Sequence, residues 1–182
     1  MITKIFLTAT VLSFILFASS CQNGSGEKET DSDKTGLTEK IATLENKIFN
    51  PDGTINTKKA LTLLDAYEQF IVENKDDSNR MEYIFKAAGI ALNLNRGQTS
   101  LKYLEQYLLS YPNGPQAEQA LFLKAFVLEN SIGNIKAAKQ TYEEFIQKYP
   151  NSEFADDAKA SIKYIGKSPD EIIELMKQEQ KK

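Results

Sequence analysis

Residues 111–120 read YPNGPQAEQA and residues 149–158 read YPNSEFADDA, with Tyr, Pro, Asn and two Ala at matching places 38 residues apart. A second segment lies just upstream of each copy, as LEQYL at 104–108 and YEEFI at 142–146. A third version of it, YEQFI, occupies residues 67–71, which is 37 residues earlier than LEQYL. Three copies at nearly constant spacing indicate an internal repeat, so each repeat is expected to be one structural unit.

Each unit is predicted to be a pair of helices. In the last complete unit, residues 115–131 and 135–148 have helical periodicity, and Gly133-Asn134 forms the turn between them. Tyr149-Pro150 ends the second helix, because proline disfavours helical geometry in the residue before it. The second helix has one apolar stripe at steps of three and four, made of Ile135, Ala138, Tyr142, Phe145 and Ile146. Since such a pair cannot bury its apolar stripe alone, the units must stack on one another.

This pattern resembles the tetratricopeptide repeat (TPR). The matching positions of the last unit are Phe122, Ala125, Gly133, Ala138, Tyr142 and Pro150, and those of the preceding unit are Ile84, Ala87, Ala88, Ala91, Leu104 and Pro112. In the preceding unit Asn95 replaces the turn glycine and Ser100 replaces the alanine. The period is longer than the usual ~34 residues, and this longer form is similar to TPR proteins of the bacterial envelope. These include the lipid-anchored subunit of the β-barrel assembly machine and the TPR domain of a periplasmic cell-division coordinator.

The resemblance covers about residues 57–166 and implies an all-α helix-pair solenoid of about three repeats plus a capping helix. The predicted helices span residues 37–49, 57–74, 79–94, 98–110, 115–131, 135–148 and 153–165, followed by a terminal helix. Thr38 is the predicted N-cap of the first helix. The terminal helix opens with Ser168-Pro169-Asp170-Glu171, the pattern of a capping box.

The N-terminus predicts a secretory signal that ends at the only cysteine. Lys4 precedes an apolar run at 5–17, which is shorter than the ~20 residues that a membrane-spanning helix needs. Ala18-Ser19-Ser20-Cys21 resembles the lipobox of bacterial lipoproteins, which implies that Cys21 is acylated and that its acyl chains bind the membrane. Gln22, where Asp would favour the inner membrane, favours the outer membrane.

This interpretation divides the chain into three parts. Residues 1–20 are the predicted lipoprotein signal peptide, and residues 21–36 are the acylated cysteine with a flexible tether, because residues 22–36 contain no large apolar side chain. Residues 37–182 are the predicted repeat domain. The protein is therefore expected in the cell envelope, lipid-anchored to the outer membrane at its periplasmic or surface face.

The composition argues against an enzyme, a cofactor, a metal site and a nucleic-acid partner. The chain has no His, and its 22 basic and 25 acidic residues include no basic cluster that would suit nucleic acid. Adjacent acidic pairs such as Glu143-Glu144 diverge by about 100° on a helix, so they do not converge as a catalytic pair must. We expect no catalytic residue, no metal ligand and no cofactor.

The expected function is a scaffold or adaptor that binds a protein or peptide partner in the concave groove of the stack. The alternatives are a subunit of an outer-membrane assembly or cell-division complex and, from another class, a solute- or glycan-binding lipoprotein. The TPR resemblance implies that first helices line the groove, with Glu82, Phe85, Gly89, Asn93, Leu123, Val127, Asn130 and Ser131 as candidate partner-binding residues. Asn93 and Asn130 could clamp a peptide backbone through their amides. The alternative is that the apolar members of this set simply pack in the core.

Overall fold

The structure is a computed structural model that describes residues 26–179, and these residues form eight α-helices and one short π-helix. The helices are α1 (Gly26–Glu45), α2 (Thr57–Glu73), α3 (Asn79–Asn93), α4 (Gly97–Ser110), α5 (Ala117–Val127), the π-helix (Leu128–Ile132), α6 (Ile135–Lys148), α7 (Ala155–Tyr164) and α8 (Pro169–Glu179). From α1 to α7, each helix packs against the next along the chain. The predicted all-α TPR-type stack is confirmed.

The repeated segments form the core. Tyr67 and Phe70 come from the first copy, Tyr107 from the second, and Tyr142 and Phe145 from the third, and all five side chains are fully buried. Because the same places of each copy carry large apolar side chains, stacking the copies buries them, with the first two copies in one core cluster and the third copy in a second cluster.

Two positions where the sequence departs from the TPR pattern show how the fold accommodates the change. Gly133 ends the π-helix with φ 74°, and Asn95, one period earlier, has φ 57°. Asparagine is among the few residues that adopt this left-handed conformation readily. Ser100 takes the place of Ala138 and is buried, and its hydroxyl donates a hydrogen bond of 2.9 Å to the carbonyl of Ala88. The helix pair α3–α4 therefore keeps the repeat geometry.

The first helix is longer at its N-terminus than the sequence predicts. It begins at Gly26, so the backbone of residues 26–36, assigned above to a flexible tether, is helical in the structure. Leu37 and Ile41 are buried, and the Lys34 ammonium lies 2.5 Å from the Asp77 carboxylate beyond α2. Once these contacts fix one turn, each added residue extends the helix by one hydrogen bond.

The predicted N-cap at Thr38 is wrong for the same reason. Thr38 lies inside α1, where its hydroxyl donates to the carbonyl of Lys34 at 3.0 Å. The helix also ends earlier than predicted, at Glu45. Ile48 then turns inward and is buried, which places it beside α2 and α3.

The fifth helix also differs from its prediction of 115–131. It starts at Ala117, because the chain before it folds over Tyr107, whose hydroxyl accepts the Gln116 N–H at 3.0 Å and donates to the Gln116 side-chain oxygen at 2.8 Å. Its last turn is the π-helix, where Ser131 lies directly against Gly97 of α4. The π-helix, which has a wider turn than an α-helix, is therefore found where α5 and α4 approach each other closely.

The last helix begins as predicted. The Ser168 N–H donates to the Glu171 carboxylate at 2.7 Å, and the Glu171 N–H donates to the Ser168 hydroxyl at 3.3 Å, which completes the capping box. Ile173 and Met176 on α8 are about half exposed, so this helix has a partly apolar exposed surface.

Candidate partner-binding groove

A cavity of about 380 Å³ opens between α1, α2 and α3. Three aliphatic side chains line it, Ile48, Leu63 and Ile90, and Tyr67 adds one aromatic side chain. We call this cavity the α1–α3 pocket. Its volume lies at the small end of the ~300–1,000 Å³ typical of ligand pockets, and its lining is mainly apolar, as in most of them.

Gly89 forms part of the wall of the α1–α3 pocket, in the interior of α3. A Cβ atom added there would meet no atom within 4 Å apart from the helix's own nearby backbone. Glycine inside a helix is less stable than alanine by about 0.5–1 kcal/mol. Packing within the chain therefore does not require glycine at this position. The absence of a side chain at Gly89 leaves the pocket open.

A polar network forms the rim of the pocket. The Tyr67 hydroxyl donates to a Glu45 carboxylate oxygen at 2.5 Å, and the Lys86 ammonium lies 2.9 Å from the same oxygen. Lys86 also lies 2.6 Å from a carboxylate oxygen of Glu82, one helical turn earlier. The rim thus holds two carboxylates around a single ammonium.

The charges of this network follow from its surroundings. Burial, together with the hydrogen bond to Glu45, raises the pKa of Tyr67, so the phenol stays neutral. Partial burial works against the charged form of Lys86, but the hydrogen bonds to Glu82 and Glu45 outweigh it and raise its pKa above the usual value. Lys86 is therefore a cation throughout the physiological pH range.

The structure brings three of the four predicted α3 residues to this pocket. Gly89 and Asn93 line it, and Glu82 belongs to its rim. Phe85 is partly buried, and its ring packs against the ring of Tyr107 with centroids 5.7 Å apart. Phe85 therefore contributes to packing between α3 and α4.

Asn93 is oriented by its own helix. Its side-chain nitrogen donates to the carbonyl of Gly89 at 2.9 Å. Among the described residues its side-chain oxygen has no hydrogen bond, and the side chain is exposed. Asn130 makes the equivalent bond to the carbonyl of Phe126 at 3.1 Å. Each side-chain amide is thus fixed to its own helix through its nitrogen, and its oxygen is the atom left to accept a hydrogen bond.

The four candidates from the next repeat do not form a comparable pocket. Val127 is fully buried, so it has no surface with which to contact a partner, and its place in the candidate set is corrected. Leu123 packs against the core, while Ser131 contacts α4 at Gly97. Only Asn130 and Ser131 of this group are exposed.

Sequence reasoning missed the residues that other helices contribute to the pocket. Glu45 ends α1 and Ile48 follows it, both before the stretch that the repeat resemblance covers, and no spacing in the sequence signals their position. Tyr67 was recognised only as a repeat aromatic. Glu82 and Lys86 lie four residues apart on one helix, which is the spacing of an ion pair, so that pair could have been found.

A second concavity, of about 480 Å³, lies at the connection between α6 and α7. Its polar groups bond the neighbouring repeat. The Lys148 ammonium donates to the carbonyl of Pro112 at 3.2 Å, and the Ser152 hydroxyl bonds the Glu118 carboxylate. These contacts connect two successive repeats, so the polar groups of this concavity are already used within the protein.

The described residues were compared with the requirements of a membrane-spanning helix and of a metal site. Between residues 26 and 179, none of the helices combines the length and the apolar character needed to cross a bilayer. In the same range, no three His, Cys, Asp or Glu side chains are grouped so that they could hold a metal ion. The predicted signal peptide and Cys21 lie outside the described residues, so acylation stays a prediction.

Residues 96–168 match the family YfiO, described as outer membrane lipoprotein. A comparison with curated proteins gave no match. The matched stretch runs from the end of the α3–α4 turn to the start of α8, and the chain is thus similar to a TPR-like lipoprotein of the envelope. The predicted localisation at the outer membrane of the cell envelope agrees with this match, while the lipid anchor on Cys21 stays a prediction. The residues of the α1–α3 pocket all precede the matched stretch.

Proposed function

We propose that this chain is a lipid-anchored scaffold of the outer membrane, of the assembly-machine type, that holds a segment of a partner protein in the α1–α3 pocket. The observation that carries the proposal is Gly89. A helix-interior glycine with open space beyond it lowers helix stability, and its effect is to leave an apolar pocket accessible to a partner.

The lining of the pocket favours a protein segment over a glycan or a reaction substrate. A sugar needs many hydrogen-bonding groups, whereas the walls here are Ile48, Leu63 and Ile90. Asn93 and the rim network supply few polar groups, which is the composition of a site that binds an apolar side chain and fixes its orientation.

The first helix places the pocket within reach of the membrane. Cys21 precedes α1 by five residues, which span at most about 18 Å when fully extended. The helix itself runs 20 residues, or about 30 Å, to Glu45 at the pocket. A lipid on Cys21 would therefore keep the partner within roughly 50 Å of the bilayer surface.

A photo-cross-linking amino acid in place of Asn93, in the full-length protein in cells, tests the pocket. We expect a discrete cross-linked product that disappears when Gly89→Leu fills the pocket. The matched control is Gly36→Leu, because Gly36 also lies inside a helix with nothing near its Cβ position and lies about 14 Å along α1 from Glu45. If Gly89→Leu leaves the product unchanged, the pocket does not bind the partner.

Acylation needs a separate test. We expect Cys21→Ser to abolish lipid attachment, so that the protein is unprocessed or leaves the membrane fraction. Intact-mass measurement and membrane fractionation report the result. A Cys21→Ser protein with wild-type lipid mass and wild-type partitioning would contradict the lipoprotein assignment.

A further inference from the structure

The rim of the α1–α3 pocket has an excess of negative charge. Glu45 and Glu82 share the ammonium of Lys86, which leaves one carboxylate charge without a counterion in this network. The Tyr67 hydroxyl donates to Glu45 but stays neutral. A cationic group on a partner could thus join the network without displacing Lys86.

Two helix ends add to this negative potential. The pocket is lined by Glu45, the last residue of α1, and by Gly89, Ile90 and Asn93 in the last turns of α3. The C-terminus of a helix carries a partial negative charge, equivalent to about half an elementary charge. No basic residue occupies the last turn of either helix. Lys47 and Arg96 follow these helices in sequence, but neither lines the pocket.

From this charge pattern we infer that the pocket selects extended protein segments in which an aliphatic side chain has Lys or Arg close by in sequence. This inference rests on the proposed function and names the chemistry of its partner. The aliphatic side chain occupies the space over Gly89, and the cation reaches the carboxylates of Glu45 and Glu82.

The spacing of the two subsites fits an extended chain. Gly89 and Glu82 are seven residues apart on α3, or about 10 Å along the helix axis. Residues on the same face of an extended segment are about 7 Å apart, and the flexible stem of lysine or arginine spans the difference. The exposed side-chain oxygen of Asn93 is placed to accept a backbone N–H of such a segment, so the three contacts together favour a peptide chain.

Peptide binding to the full-length protein in a non-ionic detergent tests this chemistry. The probes are short fluorescent peptides with blocked ends that carry the two side chains on one face of the extended chain. They are repeats of Leu-Ser-Lys-Ser (the Leu–Lys peptide), of Leu-Ser-Glu-Ser (the Leu–Glu peptide) and of Ser-Ser-Lys-Ser (the Ser–Lys peptide). We expect the Leu–Lys peptide to bind at least about tenfold more tightly than either of the others, and added salt to weaken it because the contact is partly exposed.

Two variants separate the charge from the apolar contact. Glu45→Gln keeps an acceptor for the Tyr67 hydroxyl while it removes the charge, so it should reduce the preference for Leu–Lys over Leu–Glu by about fivefold. Gly89→Leu should abolish binding of every probe, and Gly36→Leu should change nothing.

The outcomes distinguish the two proposals. If Leu–Lys and Leu–Glu bind equally and Gly89→Leu abolishes both, the pocket binds partners but the charge selection is overturned. Equal affinity of the Ser–Lys and Leu–Lys peptides overturns the aliphatic contact. If all affinities survive Gly89→Leu, both the selection and the proposed function are overturned.

Discussion

Gly89 and Val127 occupy equivalent positions of two successive repeats, 38 residues apart. Gly89 borders an open pocket, whereas Val127 lies in the core. Gly89 has open space where its side chain would be, while the Val127 side chain is fully buried. Both residues lie in the first helix of their pair, and in both pairs a left-handed residue lies in the turn between the two helices. The backbone plan is shared, so the difference lies in the side chains and in the helices that face them.

The neighbouring helices explain why the two places diverge. Beside Gly89, α1 ends at Glu45 and the chain turns, so that Ile48 and the rim network border a cavity. Beside Val127, the π-helix brings Ser131 into contact with Gly97. The stack therefore leaves an open pocket in one repeat, while the next repeat closes the same position with its own packing.

The largest expected effect comes from opening the closed position. Val127→Gly removes a fully buried side chain and adds a helix-interior glycine, which together should lower the free energy of unfolding by about 3 kcal/mol. Urea denaturation of the full-length protein measures this change. Val127→Ala, which retains helix propensity, should cost less. A neutral Val127→Gly would mean that the second repeat is not closed by packing at this residue.

The contact between the π-helix and α4 predicts a smaller effect. In Gly97→Ala the new Cβ would lie 2.5 Å from the Cβ of Ser131, so the backbone must shift, and we expect a loss of about 2 kcal/mol. Ser131→Gly removes the clashing atom, so the double variant should regain most of that loss. A double-mutant cycle by urea denaturation measures the coupling, and additive effects would show that the two helices do not meet there.

The smallest expected effect is a gain, at the open position. Gly89→Ala should raise the free energy of unfolding by about 0.5–1 kcal/mol, because the methyl group meets no neighbour and alanine favours the helix. Gly36→Ala, also inside a helix with open space, is the matched control and should give a similar gain. A loss of stability in Gly89→Ala would show that the space beyond Gly89 is occupied in solution.

The repeat pattern predicted most of the fold because its signals are local. Periodic apolar positions, Gly133 at a turn and the Ser168 capping box each act through residues within a few positions along the chain, and the structure has all three. The errors fall where distant contacts decide. Lys34 bonds Asp77 and extends α1, and Gly97 meets Ser131 at the π-helix, and neither pairing is visible in the spacing of the sequence.

The candidate site shows the same division. The TPR resemblance located Glu82, Gly89 and Asn93 on one helix, and these lie at the pocket. It also gave Val127 the same role, because equivalence along the sequence cannot distinguish a side chain facing a cavity from one facing a neighbouring helix. Glu45, Ile48 and Tyr67 join the site from α1, the following turn and α2, which only packing brings together.

By itself, the sequence determined that this chain is a stack of helix pairs, and it predicts a lipoprotein-like leader before them, since periodicity, turn residues and the cysteine context are properties of short segments. Only the tertiary structure decided which repeat keeps an open groove. That outcome depends on the volume left between three helices and on the charges that meet at its rim, both of which are set by contacts between residues far apart in the chain.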